Sequence, residues 1–195
     1  MFRITPLIRN LIIINVVVFL IQNLFPIADY MLSLWPIRSE YFGAYQLFTY
    51  MFAHGGLWHI FFNMLALASF GPMLETYWGD KRFLIFYIIT GIGAGIIYAA
   101  LNYFISPDGG GRMLGASGAI YGILMAYGMI FPNMEITLLF PPIPIKAKYM
   151  VFILGFMTYA MDQSGTVAHS AHFGGALIAF FLITFWRGQG GGGRW

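Results

Sequence analysis

Cysteine is missing from all 195 residues. That removes disulfides, thiolate metal sites and cysteine nucleophiles together, so any nucleophilic chemistry must run on oxygen or nitrogen. Charge is almost as scarce. Asp, Glu, Lys and Arg make up 9% of the chain and hydrophobic residues 59%, whereas a soluble domain carries about 25% charge. So little polar surface cannot clothe a water-soluble particle of this size, and the natural solvent is a lipid bilayer. The net charge is only +3 and the basic residues are scattered, so no patch for nucleic acid exists. The apolar runs also lack the period-two alternation of barrel strands, which leaves helices as the spanning structure. Arg3 and Arg9 precede an apolar run as in a signal peptide, but no small-x-small cleavage site follows. The run continues into Gln22-Asn23-Leu24-Phe25-Pro26 and reads as a retained first span.

Apolar stretches occur at 7–25, 57–78, 83–105, 114–131, 149–161 and 168–186. A spanning helix needs about 20 apolar residues, so the reading is an all-α polytopic membrane protein with six spans, the fifth short. The connections punctuate it. Residues 26–56 form a long first connection whose amphipathic pieces carry Trp35, Tyr41, Phe42 and Tyr45 and suit the membrane interface. Residues 79–82 are a polar turn and 106–112 a glycine-rich loop. Residues 132–148 contain Pro141, Pro142 and Pro144 and cannot be one helix. Residues 162–166 are a short polar loop. Residues 1–187 read as one membrane domain, and the glycine-rich tail 188–195 is expected to be disordered. With the N-terminus inside, Arg3, Arg9, Lys81, Arg82, Lys146, Lys148, Arg187 and Arg194 fall on the inner side and only Arg38 and Arg112 outside. That bias puts the N-terminus in the cytoplasm.

The same topology brings polar residues together. His59 and Asn63 sit near the start of the second span, Ser117 near the start of the fourth, and His169 and His172 near the start of the sixth. All three spans begin on the outer side. His59 and Asn63 are i and i+4 and share a helix face, as do Ser117 and Tyr121. The fourth span, counted over 114–131, is about 27 Å long at 1.5 Å per residue, against a hydrocarbon core of about 30 Å. Its outer end therefore starts below the membrane surface, where a water-accessible recess can hold polar groups. Gly115, Gly118 and Gly122 on the fourth span and Ala171 and Gly175 on the sixth permit close helix approach. Each group has a plain structural use as well: a packing serine, a histidine bonded to backbone, His54 holding the first connection, Glu75 serving as a partner near the inner end. A transporter is disfavoured because no buried charge pair lies at the midplane.

Three short patterns then carry a resemblance. Gly115-Ala116-Ser117-Gly118 is similar to the GxSG motif of rhomboid proteases. Ala171-His172-Phe173-Gly174-Gly175 resembles their AHxxG motif, and His54 to Asn63 resembles their HxxxxHxxxN motif. The order and helix assignment resemble a six-helix rhomboid core over nearly the whole chain. One departure stands out: many members carry a Trp-Arg pair in the first loop, and this chain has Tyr45-Gln46 there.

The resemblance implies an intramembrane serine endopeptidase without cofactor or metal. By it, Ser117 is the nucleophile and His172 the general base, with His169 the competing candidate. His59, Asn63 and the Ser117 backbone N–H hold the oxyanion, Gly115 and Gly118 allow tight packing around the serine, Tyr121 stacks on His172, and His54 is structural. No Asp or Glu lies near these helix ends apart from loop residues such as Asp108 and Asp162, so a dyad is more natural than a triad. The implied partners are the lipid bilayer and single-pass transmembrane protein substrates whose helix can unwind near its outer end. The implied location is a cell membrane, the inner one in a bacterium, with the site opening to the extracytoplasmic side. The fifth span is the analogue of the family's proposed lateral gate. If its Phe152–Phe156 face packs on the second span, those two rings hold the gate shut. A non-catalytic relative that binds transmembrane helices is the alternative, although such relatives typically lack the Ser or the His.

Overall fold

The computed structural model describes residues 3–105, 111–137, 142–162 and 168–189. Eight α-helices account for most of them. Helix α1 (Pro6–Leu24) opens with proline at its first position, where the missing N–H costs nothing. Pro26 starts the short α2 (Pro26–Leu32) in the same way. A small α3 (Gln46–Thr49) runs into the 3₁₀ turn Tyr50–Phe52. Then follow α4 (Leu57–Trp78), α5 (Asp80–Ile105) and α6 (Ser117–Ile130). Gly79, at φ +81°, makes the tight reversal between α4 and α5. After a two-stranded hairpin come α7 (Ala147–Met161) and α8 (His169–Gln189).

Four of these helices, α1, α4, α5 and α8, are long and apolar enough to cross a membrane. The chain is an all-α polytopic membrane protein. The fourth and fifth expected spans are the shorter helices α6 and α7, of 14 and 15 residues. Helix α6 begins at Ser117 rather than with the apolar run at Leu114, which shortens it to about 21 Å. The proline-rich connection contains an antiparallel pair, β1 (Glu135–Thr137) and β2 (Pro144–Lys146), with Ile136 opposite Ile145. Helix α8 continues through Gln189, two residues into the expected tail. The 106–110 part of the glycine loop, residues 138–141 of the proline-rich connection, residues 163–166 of the polar loop, and tail residues 190–195 lie outside the described residues.

Helix α6 is the centre of the bundle. It packs against α4, α5, α7 and α8, and ten of its residues are buried, so it meets protein on nearly every face. The peripheral helices instead leave wide apolar faces outward, such as Ile13, Val17 and Leu20 on α1, as a lipid-solvated surface requires. Helix α7 packs on α6 and α8. Phe152 and Phe156 do not pack on α4: they face outward, 68% and 71% exposed.

The first connection is a folded unit. At the Trp-Arg departure, Tyr45 is exposed while Gln46 is buried. The Gln46 Oε1 accepts the backbone N–H groups of Trp35 and Gly43, and Nε2 donates to the carbonyls of Tyr41 and Met31. One amide thus ties together a segment with little regular structure. Trp35 packs with Tyr30 and Tyr41 at centroid distances of 4.4 and 5.1 Å.

Candidate active site

The backbone leading to Ser117 is held by the first connection. Leu34 and Met113 exchange two backbone hydrogen bonds of 2.8 Å, and Arg112 pairs with Asp29 at 2.5 Å. The Gly115 N–H donates to the Tyr50 carbonyl at 2.9 Å, while the Tyr50 hydroxyl donates to the Gly91 carbonyl on α5 at 2.6 Å. Buried Tyr50 therefore links the approach to Ser117 with the neighbouring helix. Gly115 has φ +122°, which a side chain would strain. A Cβ there would also sit 2.7 Å from the His59 imidazole. The His59 ring thus lies directly over the backbone two residues before Ser117.

Ser117 is the first residue of α6 and is half-buried. The first N–H groups of a helix have no intrahelical acceptor, and the dipole places partial positive charge there. Helix α8 crosses α6 very closely: a Cβ on Gly175 would fall 1.9 Å from the Gly118 carbonyl oxygen. That crossing brings His172 Nε2 to 2.9 Å from Ser117 Oγ.

The His172 ring is held mainly by stacking. Tyr121 lies parallel to it, with centroids 4.2 Å apart and planes 9° apart. His172 Nδ1 is buried and has no hydrogen-bond partner among the described residues. Among the described residues no carboxylate orients this imidazole. Tyr121 is held in turn by α7: its hydroxyl lies 2.9 Å from Thr158 Oγ1. Thr158 already donates to the Leu154 carbonyl at 2.8 Å, so Tyr121 is the donor in that contact. A Cβ on Gly155 would touch the Tyr121 ring at 3.7 Å, so α7 presents Gly155 and Thr158 on the face that meets Tyr121.

Of the other expected residues, His59 has its ring over Gly115. Asn63 is buried, and its Nδ2 donates to the His59 carbonyl at 2.7 Å, which leaves its second N–H for another acceptor. His59 Nδ1 accepts the Gly55 N–H at 3.3 Å. His54 is buried against His59, its ring 5.2 Å away, and its backbone N–H donates to Gln22 Oε1 at 2.9 Å. Burial, with a smaller effect from neighbouring His59, pushes the His54 imidazole down to about 3, so it is neutral. His169 is not at the serine. It meets Asp162 at 3.0 Å, with its ring 6.0 Å from that of His172. Glu75 is buried and accepts the Thr5 hydroxyl, tying α4 to the start of α1.

Sequence reasoning missed Tyr50, Gln46 and Thr158. Thr158 carried the same signal as the residues that were found, a hydrogen-bonding group inside an apolar helix. Tyr50 sat among so many aromatics that nothing distinguished it.

The rhomboid domain family matches residues 41–188, which include the whole cluster. The chain is 32% identical over 130 residues to "Rhomboid protein 1, mitochondrial" of Saccharomyces cerevisiae, covering 65% of this chain and 37% of that protein. It is 31% identical over 145 residues to the bovine (Bos taurus) "Presenilin-associated rhomboid-like protein, mitochondrial", covering 69% and 36%. To "RHOMBOID-like protein 12, mitochondrial" of Arabidopsis thaliana it is 27% identical over 187 residues, covering 87% and 55%. The chain therefore spans roughly a third to a half of the length of these relatives. All three are named as mitochondrial, whereas the sequence reading expected a cell membrane. A polytopic helical bundle with a serine and a histidine paired at two helix starts, matched by this family over three-quarters of its length, belongs to the rhomboid family.

Proposed function

We propose that the chain is an intramembrane serine endopeptidase acting through a Ser117–His172 dyad. The observation that carries this reading is the 2.9 Å Nε2···Oγ contact, and a dyad is supported by His172 Nδ1 having no partner among the described residues. As Ser117 Oγ attacks the scissile carbonyl carbon, its proton passes to His172 Nε2. The resulting oxyanion takes hydrogen bonds from the Ser117 backbone N–H and from His59 and Asn63, donors that stabilise charge present only in the transition state. Collapse expels the amine, which leaves with the proton from His172. His172 then deprotonates water, which cleaves the acyl-enzyme. Tyr121 fixes the imidazole plane through each step.

The substrates are single-pass membrane proteins. With α6 only about 21 Å long, Ser117 sits below the surface of a bilayer whose core is about 30 Å thick. A bond in an intact helix is shielded, so a substrate helix must unwind there. The Lys/Arg distribution supports an N-terminus on the basic, inner side of the membrane, with Ser117 toward the opposite side. A fluorophosphonate probe mapped by mass spectrometry tests the reading. Labelling at Ser117, lost in Ser117→Ala together with cleavage of a transmembrane substrate, is the expected result. Cleavage retained by purified Ser117→Ala would end the assignment. Helix binding without cleavage by the parent would favour a non-catalytic relative.

A further inference from the structure

At the end of the bundle opposite Ser117, the C-termini of α4, α6 and α8 meet the first turn of α5 around a recess of about 60 Å³. Tyr77, Trp78, Arg82, Trp186 and Arg187 line it. The Arg82 guanidinium lies 4.2 Å from the centre of the Trp186 ring, and Trp186 meets Trp78 edge-on at 5.6 Å. Arg187 donates one hydrogen bond to the Met129 carbonyl at 2.8 Å, capping α6. A guanidinium has five N–H donors in a planar fork, so most of the donor capacity at this recess is unspent.

Neither arginine has a carboxylate within ion-pair distance among the described residues, where the arginine that does is Arg112, on Asp29 at the other end. The acidic groups closest in sequence are engaged: Glu75 accepts from Thr5, and Asp80 accepts the Lys81 N–H. Trp and Tyr rings mark the headgroup depth of a bilayer. Two uncompensated cations in an aromatic notch at that depth suit a bidentate phosphate. Lys81, Lys146 and Lys148 are exposed and add to the positive field at this end of the chain.

We propose that this recess binds the phosphate headgroup of an anionic phospholipid, with Arg82 and Arg187 on its oxygens and Trp186 fixing the Arg82 plane. The site is remote from Ser117 and independent of the proteolytic reading. A headgroup held there would pin together four helix ends, α6 among them.

The test uses the purified chain in phosphatidylcholine nanodiscs with or without phosphatidylglycerol, reading retained lipid by native mass spectrometry and the unfolding temperature. The parent is expected to retain phosphatidylglycerol over phosphatidylcholine and to unfold at higher temperature with it. Arg82→Gln with Arg187→Gln should weaken retention by about fivefold per charge removed. Lys146→Gln with Lys148→Gln removes the same charge outside the recess and should weaken it less. If the double arginine variant does not fold, Arg82→Gln alone carries the test, because among the described residues that side chain caps no helix. Equal losses from the arginine and lysine pairs would overturn the site in favour of a diffuse field. An equal gain in unfolding temperature from inorganic phosphate in phosphatidylcholine would overturn the lipid assignment.

Discussion

Gly175→Ala tests whether the α6–α8 crossing sets the dyad. The added Cβ would lie 1.9 Å from the Gly118 carbonyl oxygen, a backbone atom that cannot swing aside. Ordinary contact begins near 3.4 Å, so the two helices must separate by about 1.5 Å. The Nε2···Oγ contact of 2.9 Å would then stretch to about 4.4 Å, beyond any hydrogen bond. Overpacking of this kind costs about 1–3 kcal/mol of stability, and loss of a general base costs about 10²–10⁴ in rate. The expected result is a fluorophosphonate labelling rate at Ser117 lower by about 100-fold or more, with helical circular dichroism retained and a lower unfolding temperature. Two neighbours calibrate the effect. A Cβ on Gly174 would meet Ile97 Cβ at 3.1 Å, a small adjustment, and one on Gly188 would meet nothing within 4 Å. Labelling should therefore fall in the order Gly188→Ala, Gly174→Ala, Gly175→Ala. A Gly175→Ala protein that labels as fast as the parent would refute the idea that this crossing fixes the Ser–His distance.

His172→Ala should abolish probe labelling and His169→Ala should leave most of it, since His169 is paired with Asp162; the reverse pattern would move the base to His169. Asn63→Ala and His59→Ala should each lower kcat and kcat/KM together by about 10²–10³ if they are transition-state donors, and a rise in KM alone would make them binding groups. Thr158→Val strands the buried Tyr121 hydroxyl, at a cost of about 1–3 kcal/mol, and should slow labelling; adding Tyr121→Phe should restore part of the lost stability, and a strictly additive double mutant would refute the coupling. Gln46→Leu leaves two backbone N–H groups and two carbonyls of the first connection without their partner, so it should lower the unfolding temperature more than Tyr45→Leu, whose side chain is exposed.

Solvent and secondary structure were legible in the residues because they depend on composition and local run length. Scarce charge dictates the bilayer, and an apolar run of 57–78 leaves little choice but the helix found at Leu57–Trp78. Which polar residues start the apolar helices also follows from one-dimensional topology, so Ser117, His169 and His172 could be grouped before any distance was known, and the resemblance then singled out His172. The start of α6 was not legible, because Leu114 to Ala116 are as apolar as the helix itself. The backbone there is drawn away by the Gly115 N–H bond to the Tyr50 carbonyl and, just before it, by the Met113–Leu34 pair, partners distant in sequence. The face of α7 was likewise undecided by sequence. Phe152 and Phe156 suit a protein contact or lipid equally, and packing on α6 and α8 turned them outward.

The choice between His172 and His169 shows the division most clearly. Both lie one turn apart at the start of the same helix, and residue type alone cannot separate two imidazoles. The close passage of Gly175 over Gly118 fixes the height and rotation of α8, and that rotation aims His172 at Ser117 while His169 meets Asp162. Sequence alone determined the solvent, the long apolar helices and the set of polar groups near their starts, since each rests on local chemistry. Tertiary structure decided the pairing, because a hydrogen bond of 2.9 Å depends on helix rotations that only the packing of several helices can set.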